Sequence, residues 1–86
     1  MLKIIYSPGF ISQFERLNVR TRNHALKKID LFIEDQRHPS LRVHKLNGQL
    51  AGLFAFSIDY TMRVIFSNVE KGTVRFLRIG DHSVYR

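Results

Sequence analysis

Met62-Arg63-Val64-Ile65-Phe66-Ser67-Asn68-Val69-Glu70-Lys71-Gly72-Thr73-Val74-Arg75-Phe76-Leu77-Arg78-Ile79 reads as two strands joined by a turn. β-Branched and aromatic residues dominate, and in the first half Met62, Val64 and Phe66 alternate with Arg63 and Ile65. Asn68 to Gly72 collects turn formers and predicts a hairpin. Thr73 to Ile79 predicts the returning strand, with Val74 and Phe76 on one face and Arg75, Leu77 and Ile79 on the other. Such a hairpin has an apolar face that needs a second layer to cover it.

The chain upstream supplies that layer. Leu2 to Tyr6 is a short β-rich run. Ser7-Pro8 follows as a helix start, with Ser7 placed to cap and Pro8 at a position where its missing N–H costs nothing. Phe10, Phe14 and Leu17 then recur at helical spacing. Asn18 re-caps, and Val19, Ala25/Leu26, Ile29 and Phe32/Ile33 form a second apolar stripe. This helix is expected to run to about Gln36, since Pro39 disfavours helical geometry at His38. From Leu50 to Tyr60 the large even-numbered residues Leu50, Phe54, Phe56 and Ile58 predict another strand. The fold class expected is α+β: a two-layer β-α-α-β-β-β domain, with room for one more strand. Its helical hairpin packs on one face of a mainly antiparallel sheet, and residues 1–86 form one domain. The other sheet face is left for a different task, and Arg63 projects onto it.

Fourteen basic against seven acidic residues give a net charge of +7. A compact basic domain favours a polyanionic partner, nucleic acid first. No cysteine is present, which excludes a disulfide framework and thiolate metal sites and fits a reducing cytoplasm. No apolar run has the length to span a bilayer, and no signal-peptide cleavage region follows Met1, so no membrane association is expected. No His/Asp/Glu spacing resembles a metal site, and there is no glycine-rich phosphate loop or nucleophile elbow. Neither metal nor cofactor is expected.

Three groups of residues suggest chemistry. Arg63 lies in a short hydrophobic strand, where a guanidinium is expensive unless it reaches solvent or an anion. It is either an outward residue paired with Asp59, Glu70 or Asp81, or a fork for phosphate. Gly80 permits a sharp turn at little steric cost, and after it the segment Asp81-His82-Ser83-Val84-Tyr85-Arg86 gathers an imidazole, a phenol and a guanidinium at the chain terminus. His82 is either merely exposed in the turn or an imidazole suited to proton transfer, and Tyr85 either plugs the sheet edge or stacks on a base. Arg42-Val43-His44-Lys45 is a second basic cluster. It is either a solvated loop or the source of another proton-transfer group and of charge for a phosphate. His24 and His38 are read as ordinary helix and turn residues.

Taken in order, His44-Lys45-Leu46-Asn47-Gly48, Arg63-Val64-Ile65-Phe66 and Ile79-Gly80-Asp81-His82 with Val84-Tyr85-Arg86 resemble the RelE/ParE superfamily of toxin–antitoxin toxins. The likeness spans the chain and is nearest to the ribosome-dependent mRNA interferases. It implies that Arg63 contacts the scissile phosphate and His82 protonates the leaving oxygen. Tyr85 would orient or stack on a nucleotide, while His44 and Lys45 activate the 2′-hydroxyl or stabilise charge. It further implies RNA contacts from Arg42, Arg75, Arg78 and Arg86, and two partners: a cognate antitoxin and mRNA on the ribosome. Met62 departs from the family's usual aromatic at that position, a change expected to affect packing. The same fold also serves toxins that poison DNA gyrase and degenerate members that only bind an antitoxin, and those remain the alternative functions.

Overall fold

The computed structural model describes residues 2–85, the side chains of Ser83 and Tyr85 excepted. In chain order they form β1 (Lys3–Tyr6), α1 (Pro8–Glu15), α2 (Val19–Glu34), β2 (His44–Lys45), β3 (Phe54–Ser57), β4 (Arg63–Glu70) and β5 (Thr73–Gly80). Single 3-10 turns occupy Pro39–Leu41, Gly48–Leu50 and His82–Tyr85. The sheet order is β1-β5-β4-β3-β2. β1 runs parallel to β5 and every other pairing is antiparallel. The two helices cover one face, so the expected two-layer α+β architecture is the one observed.

The helix starts are where the capping residues placed them. Ser7 Oγ accepts from the Phe10 N–H at 3.1 Å and donates to the Leu77 carbonyl at 3.0 Å, which ties α1 to β5. Asn18 Oδ1 accepts from the Thr21 N–H at 2.8 Å. α2 stops at Glu34, short of Gln36, because Asp35 leaves helical geometry and its carboxylate takes up the Arg37 N–H at 3.1 Å. Short polar side chains compete with the helix in this way. Between the layers, Phe10, Ala25, Ile29 and Phe32 meet Phe56, Val64, Phe66, Val74, Phe76 and Ile79. Phe32 is the centre: its ring lies 4.5 Å from that of Phe56, 5.0 Å from Phe66 and 5.7 Å from Phe76.

Four further details differ from the expectation. The strand foreseen from Leu50 to Tyr60 is confined to Phe54–Ser57, since Leu50 sits in a 3-10 turn and Gly52 takes a positive φ of 93°. β4 continues to Glu70, which leaves only Lys71 and Gly72 (φ 80°) to turn the hairpin. The further strand is β2, ahead of the other three, and the C-terminal segment is a turn. Finally, Ile79 does not face the same way as Arg75. Phe66 pairs with Phe76 while Ile65 pairs with Arg78, so Leu77 is an extra residue in β5. This bulge reverses the alternation after it. Ile79 turns into the helix-side core, and Arg78 turns out to share the open face with Arg75 and Arg63.

That open face is apolar in part. Ala55 and Ile65 are buried on it, and Ile65 lines a depression there with Leu50, Leu53 and Val84. The terminal turn is therefore packed down by Val84, itself 5% exposed.

The β3–β4 turn is organised by Asp59. Its Oδ1 accepts from the Thr61 N–H (2.8 Å), the Thr61 hydroxyl (3.2 Å) and the Met62 N–H (2.8 Å). Burial pushes the Asp59 carboxyl up, but these hydrogen bonds, with the charge of His24, outweigh it and hold the group below its ordinary range. A depressed carboxyl stabilises the fold above its unfolded pKa of about 3.9, and the contribution disappears as pH falls through the folded value. Asp59→Ala is accordingly expected to be less stable than wild type at pH 7, with the gap closing on acidification in paired denaturant titrations.

Candidate active-site cleft

Sheet register builds the site. Arg63 opens β4 and lies opposite Ser57 on one side and Gly80 on the other. Both neighbours are small, which leaves room for a guanidinium to lie across the face. The adjacent row on that face runs His44–Ala55–Ile65–Arg78. Side chains two apart on a strand share a face, so His44 stands one row from Arg63 despite the intervening sequence. Lys45 follows in the same short edge strand, paired with Phe54.

Arg42 orients His44. It is the one non-glycine residue with a positive φ among those described (φ 49°, ψ 46°), and its carbonyl lies 2.9 Å from His44 Nδ1. A carbonyl only accepts, so Nδ1 carries the proton and Nε2 is left as the basic nitrogen of the neutral ring. His24 and His38 have other partners: His24 Nε2 reaches the Ile58 carbonyl at 3.0 Å, and His38 Nδ1 accepts from the Ser40 N–H at 3.2 Å.

His82 arrives by the terminal turn. The Val84 N–H bonds the Asp81 carbonyl at 3.1 Å, and the Val84 carbonyl accepts from Arg78 Nη1 at 3.1 Å. These contacts, with the buried Val84 side chain folded against Gly80, bring His82 Nε2 to 3.5 Å from Arg63 Nη2. Gly80 is needed for a different reason than turn formation. Its φ is not positive, but a Cβ there would lie 2.5 Å from Val84 Cγ1. Gly80→Ala is therefore expected to lift the terminal turn and separate His82 from Arg63. The check is a shift of the Val84 methyl signals toward those of an exposed valine in an NMR spectrum, with the helix-side core signals retained.

The sequence-derived candidates divide as follows. Arg42, His44, Arg63 and His82 line one open cleft, together with Lys28, Ser40, Ser57, Asp59 and Tyr60. Lys45 joins His44 and Arg63 in the depression beside it. Arg78 points to the same face but is engaged with the terminal turn. Arg75 is exposed further along β5, opposite Ser67. The Tyr85 side chain and Arg86 lie outside the described residues. A broader depression at the end of α2, lined by Ile33, His38, Val43 and Phe54, shares only Arg42 with the cleft. Reading the sequence missed Lys28, Ser40, Ser57 and Tyr60. Only Tyr60 carried a usable signal, an aromatic in a turn between two strands. No group of three or more His, Asp or Glu residues among those described is arranged to hold a metal ion, and no helix there is long and apolar enough to cross a membrane.

No protein-family model matches the chain, and a search of curated proteins found no match. Solved structures do. A copper-bound mutant toxin from Helicobacter pylori superposes with a TM-score of 0.78 at 21% identity, covering 100% of both chains. YafQ from E. coli superposes with a TM-score of 0.75 at 18% identity, over 99% of this chain and 98% of its own. The toxin-antitoxin complex YoeB-YefM from Staphylococcus aureus, a heterotetramer, matches with a TM-score of 0.72 at 14% identity, over 95% of this chain and 98% of the other. The chain has the fold of the RelE/ParE toxins.

Proposed function

We propose that this chain is the toxin of a type II toxin–antitoxin pair, and that it inhibits translation as an endoribonuclease cutting mRNA on the ribosome. The observation that carries this reading is the 3.5 Å approach of Arg63 Nη2 and His82 Nε2 in a cleft that also holds His44. The toxin fold and the net charge of +7 support it independently, the latter because RNA and an acidic antitoxin are both polyanions. An antitoxin partner is further supported by YoeB, a chain of the same fold found with YefM as toxin and antitoxin.

The chemistry is transesterification. The 2′-oxygen attacks the adjacent phosphorus in line, its proton passing to a base as the bond to the 5′-oxygen breaks. That oxygen takes a proton from an acid, leaving a 2′,3′-cyclic phosphate and a 5′-hydroxyl. His44 Nε2 is the candidate base, since Nδ1 is committed to the Arg42 carbonyl. His82 is the candidate acid in its doubly protonated form, since in the neutral ring the Nε2 facing Arg63 Nη2, a donor only, is the acceptor. Arg63 balances the charge on the phosphate oxygens, a task its planar fork suits, and Lys45 adds a further positive charge. Arg42, Arg75, Arg78 and Arg86 are assigned to the RNA backbone, and the Tyr85 ring to a nucleotide. A gyrase-directed toxin needs no paired imidazole and guanidinium in a cleft.

The test is primer extension on a message translated in vitro with and without the protein. New ends that depend on both protein and translation are expected. An intact message together with inhibited DNA supercoiling would overturn the assignment in favour of gyrase.

A further inference from the structure

Tyr60 is an aromatic side chain of the cleft that has had no role so far. We propose that it is a base-stacking platform, holding a nucleobase of single-stranded RNA beside the phosphate that Arg63 and His82 face. The proposal rests on the cleft being the RNA site.

Tyr60 is 91% exposed, whereas the other exposed large apolar residues range from 39% to 65%. Its ring therefore contributes almost nothing to the core, and folding alone gives no reason for an aromatic there. The backbone beneath it is firmly held. Asp59 Oδ1 gathers the Thr61 and Met62 N–H groups at 2.8 Å each. The Ile58 N–H bonds the Met62 carbonyl at 2.8 Å. Ile58 itself is 1% exposed, and its carbonyl lies 3.0 Å from His24 Nε2 on α2. An open ring on a fixed post has only two side-chain torsions to order on binding.

The surroundings choose the ligand. Tyr60 shares its cleft with Arg42, His44, Ser57, Arg63 and His82. A groove of cations and imidazoles with one bare aromatic at its wall is the pattern that binds single strands: charge follows the backbone and the ring takes a base. An aromatic anchor for a protein partner is instead expected within a desolvated apolar centre, and apart from the buried Ile58 the residues lining the cleft with Tyr60 are polar. Every base has a π-face, so Tyr60 would position a nucleotide without selecting one.

The experiment measures binding of two fluorescein-labelled strands of equal length by anisotropy at low salt. One is a 2′-O-methyl RNA, which cannot be cleaved, and the other is its abasic counterpart. Wild type is expected to prefer the strand with bases. Tyr60→Ala should weaken binding to that strand about tenfold and leave the abasic strand unaffected, while Tyr60→Phe should bind both like wild type. Wild-type affinity in Tyr60→Ala, an equal loss on both strands, or no binding by wild type would each overturn the proposal. Arg63→Ala separates this from the reading beneath it. If that variant binds both strands more weakly while Tyr60→Ala binds both normally, the RNA site stands and the platform falls. If Arg63→Ala binds both strands normally, the cleft is not the RNA site and both fall.

Discussion

His82→Ala is expected to slow cleavage of a translated message about 10²–10⁴-fold, the usual contribution of a positioned proton-transfer group, and to leave thermal unfolding unchanged. The second half of the expectation follows from exposure. His82 is solvent-exposed, whereas the terminal turn is anchored by Val84 and by the Arg78 contact to its carbonyl. Those anchors remain when the imidazole is removed. Arg63→Ala should reduce the rate comparably, through lost charge stabilisation on the phosphate. Arg63→Lys should recover little, because a point charge does not reproduce the planar fork. Primer-extension rates and circular-dichroism melting of the same preparations read both quantities. Normal cleavage by a folded His82→Ala protein would remove it from the chemistry.

Phe32→Ala is expected to cost about 3–5 kcal/mol of folding stability, as large-to-small changes at buried aromatics do. Phe32 is fully buried and is the one helix residue whose ring touches those of Phe56, Phe66 and Phe76 together. The cavity would open where α2 meets the three central strands, and helix α1 lies to one side, unable to fill it. In a domain of 86 residues each kcal/mol moves Tm by about 4–8 °C. Urea denaturation of Phe32→Ala beside Phe14→Ala, a partly buried neighbour at the rim of the core, checks the assignment. A larger loss from Phe14 would place the centre of packing in α1 instead.

The helices and the long hairpin were legible because their signals are local. Ser7 and Asn18 announce helix starts by side-chain chemistry that acts within three residues, and apolar spacing identifies the stripe through Ala25, Ile29 and Phe32. What escaped the sequence depends on neighbours far along the chain. The bulge at Leu77 leaves no mark in Thr73 to Ile79, where regular alternation places Ile79 outward. It appears only when β4 is laid beside β5. β2 is two residues long and exists as a strand only through its pairing with β3. Gly80 was read as a turn former, whereas its lack of a Cβ matters because Val84 folds back against it. Within the site, the family resemblance implied that Arg63 and His82 act at one phosphate, and their side chains approach to 3.5 Å. His44 joining them follows from register alone, and its ring orientation follows from the left-handed backbone at Arg42. Tyr60 went unread because its significance is its exposure.

The most direct test is a double-mutant cycle on His82 and Arg63, measured as translation-dependent cleavage rates for both single alanine variants and the pair. Two groups acting as a unit on one phosphate are strongly non-additive. The double variant should be scarcely slower than the worse single one. Losses that multiply in full would mean that imidazole and guanidinium act at separate places, and the shared phosphate site would be wrong.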